Sequence, residues 1–112
     1  MRRVALIALA IAVASCDGGA ARLNDRISFW EHALSRNVPP GTSREKVVGW
    51  GRVNGVTFLY MPEQHRLSAL ADKIPAGKLD LACSEWTIIL TVEFDAADQS
   101  TLSKVEKVGT CL

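Results

Sequence analysis

Leu23, Ile27, Trp30 and Leu34 recur at spacings of four, three and four residues, which is one face of an α-helix and predicts an amphipathic helix over residues 22–36. Charges of both signs occupy the other face. A helix lying on a bilayer would be richer in Lys and Arg, so the stripe reads as core packing. Asn37-Val38-Pro39-Pro40-Gly41 ends it. Thr42-Ser43-Arg44-Glu45 then fits a capping box with Thr42 as the cap and Glu45 reaching back. It starts a second, shorter helix through about Val53, with Val47, Val48 and Trp50 on its apolar side and Asn54-Gly55 as its stop. Val56 to Tyr60 alternates β-branched and aromatic residues and predicts a strand, and Met61-Pro62-Glu63-Gln64 turns the chain back.

Residues 65–74 fit two templates. Leu67, Leu70, Ala71 and Ile74 match a helical stripe, whereas Leu67, Ala69 and Ala71 alternate as in a strand. The short preceding turn favours a sequential neighbour in a sheet, so a strand is expected, closed by Pro75-Ala76-Gly77. The clearest strand is 85–94. Trp86, Ile88, Leu90, Val92 and Phe94 point one way, while Glu85, Thr87, Ile89, Thr91 and Glu93 point the other. Residues 95–100 form a turn, and 102–111 return as a partner strand. The pattern is that of an α+β fold, two N-terminal helices packed on a three- to four-stranded antiparallel sheet.

The first residues follow a different pattern. Arg2 and Arg3 precede an uninterrupted apolar run of eleven residues, Val4 to Ala14, and then Val13-Ala14-Ser15-Cys16 closes the segment. Eleven residues are too few for a spanning helix, which needs about 20. The sequence resembles the signal peptide and lipobox of bacterial lipoproteins. That resemblance implies cleavage before Cys16, a diacylglycerol on its thiol and acylation of the new amino end. Ala12-Val13-Ala14 also satisfies the small-x-small rule of ordinary secretory cleavage, which would release a soluble chain from Ser15. Cysteine arithmetic favours the lipoprotein: the chain has three Cys, and lipidation of Cys16 leaves Cys83 and Cys111 as an even pair for an oxidising compartment. The expected organisation is a signal peptide over 1–15, a lipidated Cys and short tether over 16–21, and one domain over 22–112. Five tether residues reach less than about 18 Å. Asp17 resembles the signal that retains lipoproteins in the inner membrane of enteric bacteria, so an envelope location facing the periplasm is expected, leaning to the inner membrane. Arg2-Arg3 lacks the surroundings of a twin-arginine signal.

With the signal removed, 11 basic side chains oppose 12 acidic ones. That balance gives no footprint for nucleic acid, and it leaves membrane attachment to the lipid on Cys16. The hairpin sharpens the cysteine reading. Cys83 and Cys111 each lie fourteen residues from a turn centred at Ala97, so they would face one another at a Cα separation of about 4.5 to 5.5 Å, within disulfide range. Closing that loop contributes roughly 3 to 4 kcal/mol in the chain-entropy picture. Cys-x-x-Cys spacing is absent, so the pair reads as structural rather than redox-active.

No constellation points to catalysis, a cofactor or a metal. His32 and His65, the only histidines, lack partners at ligand spacing. No Gly-x-Ser-x-Gly elbow occurs, and Gly49-Trp50-Gly51-Arg52-Val53-Asn54-Gly55 fails as a dinucleotide loop on spacing and on its place after a helix. Glu93, Asp95 and Asp98 gather at a turn, where Asp commonly bonds backbone. Trp30, Trp50, Tyr60 and Trp86 read as core. Pro40-Gly41-Thr42-Ser43-Arg44-Glu45-Lys46-Val47 resembles the Gly-x-Thr-x-x-x-Val start of the first helix in small outer-membrane lipoproteins of the SmpA/OmlA (BamE-like) type. Those proteins share a fold of helices on a short antiparallel sheet with the β-lactamase-inhibitor proteins. Here Trp50-Gly51-Arg52-Val53 replaces the family's Leu-Gly-x-Pro, and the helix over 22–36 is additional. The expectation is a non-enzymatic envelope lipoprotein that binds another envelope protein in assembly or scaffolding; the alternative is an inhibitor or small-ligand binder of the same fold.

Overall fold

The computed structural model describes residues 18–76 and 83–111. Two helices, α1 (Gly18–Asn37) and α2 (Arg44–Val53), precede four strands: β1 (Leu59–Met61), β2 (Arg66–Pro75), β3 (Cys83–Phe94) and β4 (Ser100–Cys111). The strands form one antiparallel sheet in the order β1-β2-β3-β4. The fold is therefore α+β, helices first and sheet second, as the hydrophobic pattern predicts. Each strand follows its neighbour through a short connection, which keeps the pairing local in sequence.

One face of β3 carries Ile88, Leu90, Val92 and Phe94, all buried, and they meet Leu67, Ala69 and Ile74 of β2 and Leu23, Trp30 and Leu34 of α1. Val47 of α2 completes the layer. The stripe on α1 is thus core, for the reason the sequence suggests: an apolar face wide enough to cover a sheet and a charged face left in water. The opposite face of the sheet is bare of helices. It presents Leu59, Leu70, Leu102 and Val108, each about half exposed or more.

Several boundaries differ from expectation. α1 begins at Gly18, so residues 18–21 of the expected tether are helical. Ala20 and Ala21 have the highest helix propensity of any residue type, and buried Leu23 fixes the first turns to the core. The cap of α2 is Ser43, whose side chain accepts from the Lys46 amide; Thr42 Oγ1 instead donates to the Pro39 carbonyl. β1 is shorter than 56–60, because Val56 and Phe58 are buried on α2 rather than paired in the sheet. That packing needs Gly51, where a Cβ would stand 2.6 Å from Phe58 Cδ2 and 2.8 Å from the Val56 carbonyl oxygen.

Residues 65–74 are a strand, and a β-bulge explains why they also matched a helix. Leu70 pairs with Ile89 and Asp72 with Ile88, which leaves Ala71 extra. In a regular strand Leu67 and Ile74, seven apart, would point to opposite faces. The bulge reverses the phase, so both are buried on the helix side. Seven residues is also two helical turns.

Candidate functional site

The bulge turns Asp72 toward α1. Its Oδ2 accepts from Arg26 Nε at 2.8 Å and from Trp30 Nε1 at 2.7 Å. Arg26 in turn lies over Phe29, 4.4 Å from the ring centroid. Trp30 is 4% exposed, and its indole N–H needs an acceptor inside the protein. This is a clamp between helix and sheet, in which one carboxylate oxygen holds donors from two residues of α1. Sequence reasoning placed Trp30 in the core but missed Asp72, which only the bulge brings beneath it.

The other singled-out residues are dispersed. His32 is exposed on α1, and His65 closes the β1–β2 connection in a left-handed conformation, φ 48°. Asp95 Oδ1 accepts from the Ala97 and Gln99 amides, the backbone role expected of a turn Asp. Asp98 pairs with Arg44 at 2.9 Å, and the same guanidinium sits 3.9 Å from the Tyr60 ring centroid. Trp30, Trp50 and Phe58 form a run of edge and tilted ring contacts against the core, joined there by Tyr60 and Trp86. Gly49 and Gly51 lie within α2 and Gly55 just beyond its cap. Among the described residues no three His, Cys, Asp or Glu side chains are grouped to hold a metal ion, and no helix is long and apolar enough to cross a membrane. Cys16 and Asp17 lie outside the described residues.

Among the described residues, two strand edges longer than that of β1 lack a neighbour: β2 beyond Ser68, which the bulge at Ala71 interrupts, and the longer β4 edge. β4 is twelve residues long and pairs with β3 alone on one side. On its other side the start of the strand is covered: Gly41 N–H donates to the Ser100 carbonyl, Ser100 N–H to the Thr42 carbonyl, and Ser43 bridges Gln99. Buried Ser100 secures this junction, donating from Oγ to the Pro39 carbonyl and accepting from the Thr42 amide, both at 3.0 Å. Sequence reading passed over Ser100 as one more turn residue.

Beyond Ser100 the edge runs beside the C-terminal half of α1. Together they bound a groove of about 470 Å³. Leu34, Val38 and Val105 give it apolar lining, and Glu31, Ser35 and Lys104 add polar lining. Backbone donors and acceptors on a strand edge, with an apolar slot alongside, are the elements by which a sheet takes up an extended segment. At the far end of β4, Cys111 stands opposite Cys83 in the β3–β4 register, and Cys111 is disulfide-bonded. A second hollow, about 370 Å³ between α2 and the sheet, is lined by Arg44, Val48, Arg52 and Tyr60. Its Arg44 is already held by Asp98 and Tyr60.

Comparison with protein-family models, with curated proteins and with solved structures gives no match to this chain.

Proposed function

We propose that this chain is a lipid-anchored, non-enzymatic module of the bacterial envelope that binds another protein by strand addition along β4. The observation that carries the reading is the long β4 edge with its groove against α1. Main-chain bonds along such an edge supply affinity, and side-chain slots supply selectivity. The lipobox-like Val13-Ala14-Ser15-Cys16 supports the anchor. Residues 18–21 of the expected tether are helical, which shortens its reach, so a lipid on Cys16 would hold the domain against the bilayer. Asp17 leans the location to the inner membrane. A Cys83–Cys111 bridge would lock the open end of the β3–β4 hairpin and keep the edge straight for docking. The SmpA/OmlA-like helix start at Pro40 to Val47 supports an assembly or scaffolding role.

Photo-crosslinking in envelopes tests the reading. A crosslinker at Lys104, on the edge, is expected to give one stoichiometric protein adduct, while the same group at Asp25, on the exposed side of α1, gives none. Equal labelling at both positions, or at neither, overturns the reading. An adduct with a soluble hydrolase would replace the scaffold by an inhibitor. Mass spectrometry of the mature chain tests the anchor: loss of residues 1–15 and a lipid on Cys16 are expected, and an unmodified start at Ser15 refutes it.

A further inference from the structure

The β4 edge carries a pattern that fits itself, and we propose that the strand it receives is β4 of a second copy, antiparallel, with the two-fold axis through Val105. This rests on the strand-addition reading and names the partner. The free edge is long enough for that register. The outer backbone groups of Ser100 are taken by Gly41 and Thr42, and two-fold symmetry about Val105 matches Ser100 to the partner's Thr110. The pairing therefore runs over residues 101–109, whose midpoint is Val105.

Charge selects the same register. Lys104 and Glu106 lie on the helix-free face of the sheet, opposite Thr91 and Ile89 of β3, and their side chains pair within the strand at 3.3 Å. An axis through Val105 sets Lys104 against the partner's Glu106 and Glu106 against the partner's Lys104, a square of alternating charge. Shifting the axis to residue 104 or 106 would place like charges directly opposite, which is destabilising on adjacent strands. Apolar surface agrees. Leu102 and Val108, on that same face, are 52% and 49% exposed, and this axis places each opposite the other's copy. On the helix side Val105, a wall of the groove, meets the partner's Val105. Two four-stranded sheets would thereby become one of eight strands, whose outer edges are the short β1 and the bulged stretch of β2 beyond Ser68.

Charge reversal in the full-length lipidated chain, purified in detergent and followed by sedimentation equilibrium, tests the proposal. Wild type is expected to dimerise. Lys104→Glu or Glu106→Lys alone sets two like-charge pairs across the axis and should weaken association about tenfold or more. The double variant K104E/E106K rebuilds both pairs with signs exchanged and should recover the wild-type constant to within about threefold. Equal unfolding midpoints across the four proteins separate lost pairing from lost folding. A double variant as weak as the singles overturns the proposal. So does a monomeric wild type, and the Lys104 crosslink then decides what else falls: an adduct with a different protein leaves strand addition standing, and no adduct removes both.

Discussion

Replacing Asp72 by Ala should be the most damaging single change to a polar side chain in this fold. The carboxylate takes two donors on one oxygen, Trp30 Nε1 at 2.7 Å and Arg26 Nε at 2.8 Å. The two arms differ in weight. The Arg26 side chain is 37% exposed and Asp72 28%, so that ion pair is partly screened and contributes about 1 kcal/mol or less. The indole is different. Trp30 is 4% exposed, so without Asp72 its N–H is left buried and unpaired, a loss of about 1–3 kcal/mol on top of a charge-assisted bond. Because the two losses overlap, the expected destabilisation is about 2–4 kcal/mol. For a domain of this size that lowers Tm by about 10–25 °C. Asp72→Asn keeps an acceptor for one donor and should cost about 1 kcal/mol. The assay is urea unfolding followed by tryptophan fluorescence, in a double-mutant cycle with Trp30→Phe. A coupling of about 1–2 kcal/mol between the two sites is expected. If Asp72→Ala costs under about 1 kcal/mol, or if the cycle shows no coupling, the clamp is not what holds α1 to the bulge.

Three further outcomes follow from the same structure. Gly51→Ala should destabilise by about 2–3 kcal/mol, since the new Cβ meets the Phe58 ring at 2.6 Å and backbone oxygen of Val56 at 2.8 Å, and Phe58→Ala in the same chain should recover part of the loss; thermal unfolding of the three variants measures both. Ser100→Ala removes the donor to Pro39 and the acceptor for Thr42 and should cost about 1–3 kcal/mol, with faster hydrogen exchange at the Gly41 and Thr42 amides as its local signature. Cys111→Ser should lower stability by about 3–4 kcal/mol if it opens a loop closed with Cys83, and Cys83→Ser should match it. Unequal losses in the two single variants would show that the cysteines do not act as one pair.

The elements that follow a single period were legible in the sequence. α1 and β3 carry a 3.6- or 2-residue stripe, and the expected residues on them are buried or packed against the core, Ile27 and Trp86 only in part; on α2 Val47 is buried, Val48 and Trp50 are partly so, and Gly51 is buried beside them. What was not legible is where the chain changes phase or where a contact is long in sequence. The Ser43 cap is displaced by one residue because Thr42 is drawn to Pro39 and Ser100, a tie between segments some 58 residues apart that no local pattern announces. The β1 expectation failed in a related way: Val56 and Phe58 have a strand's composition, yet the notch at Gly51 offers them burial on α2.

Asp72 is the clearest case, because its position and its partner are both consequences of one extra residue. Read as a regular strand with Leu67 and Ala69 inward, 66–75 would put Asp72 and Ile74 together on the helix-free face, and it would offer no reason for a carboxylate beneath an apolar helix. With Ala71 extra, Asp72 and Ile74 share the helix side, and the acid arrives under the one buried tryptophan that needs an acceptor. The bulge also bends and twists its strand. β1 pairs with β2 only over Arg66 to Ser68, so the bulge falls where β2 has β3 alone as a neighbour, and it breaks the outer edge of that stretch. The β3–β4 pairing keeps its two irregularities at its ends, an extra Ser84 in β3 and an extra Thr101 in β4, which leaves the stretch from Leu102 to Thr110 in unbroken register with β3. A regular edge is the condition for adding another strand, and it is where the bulges are placed, as much as where the charges lie, that suits β4 to the docking proposed for it.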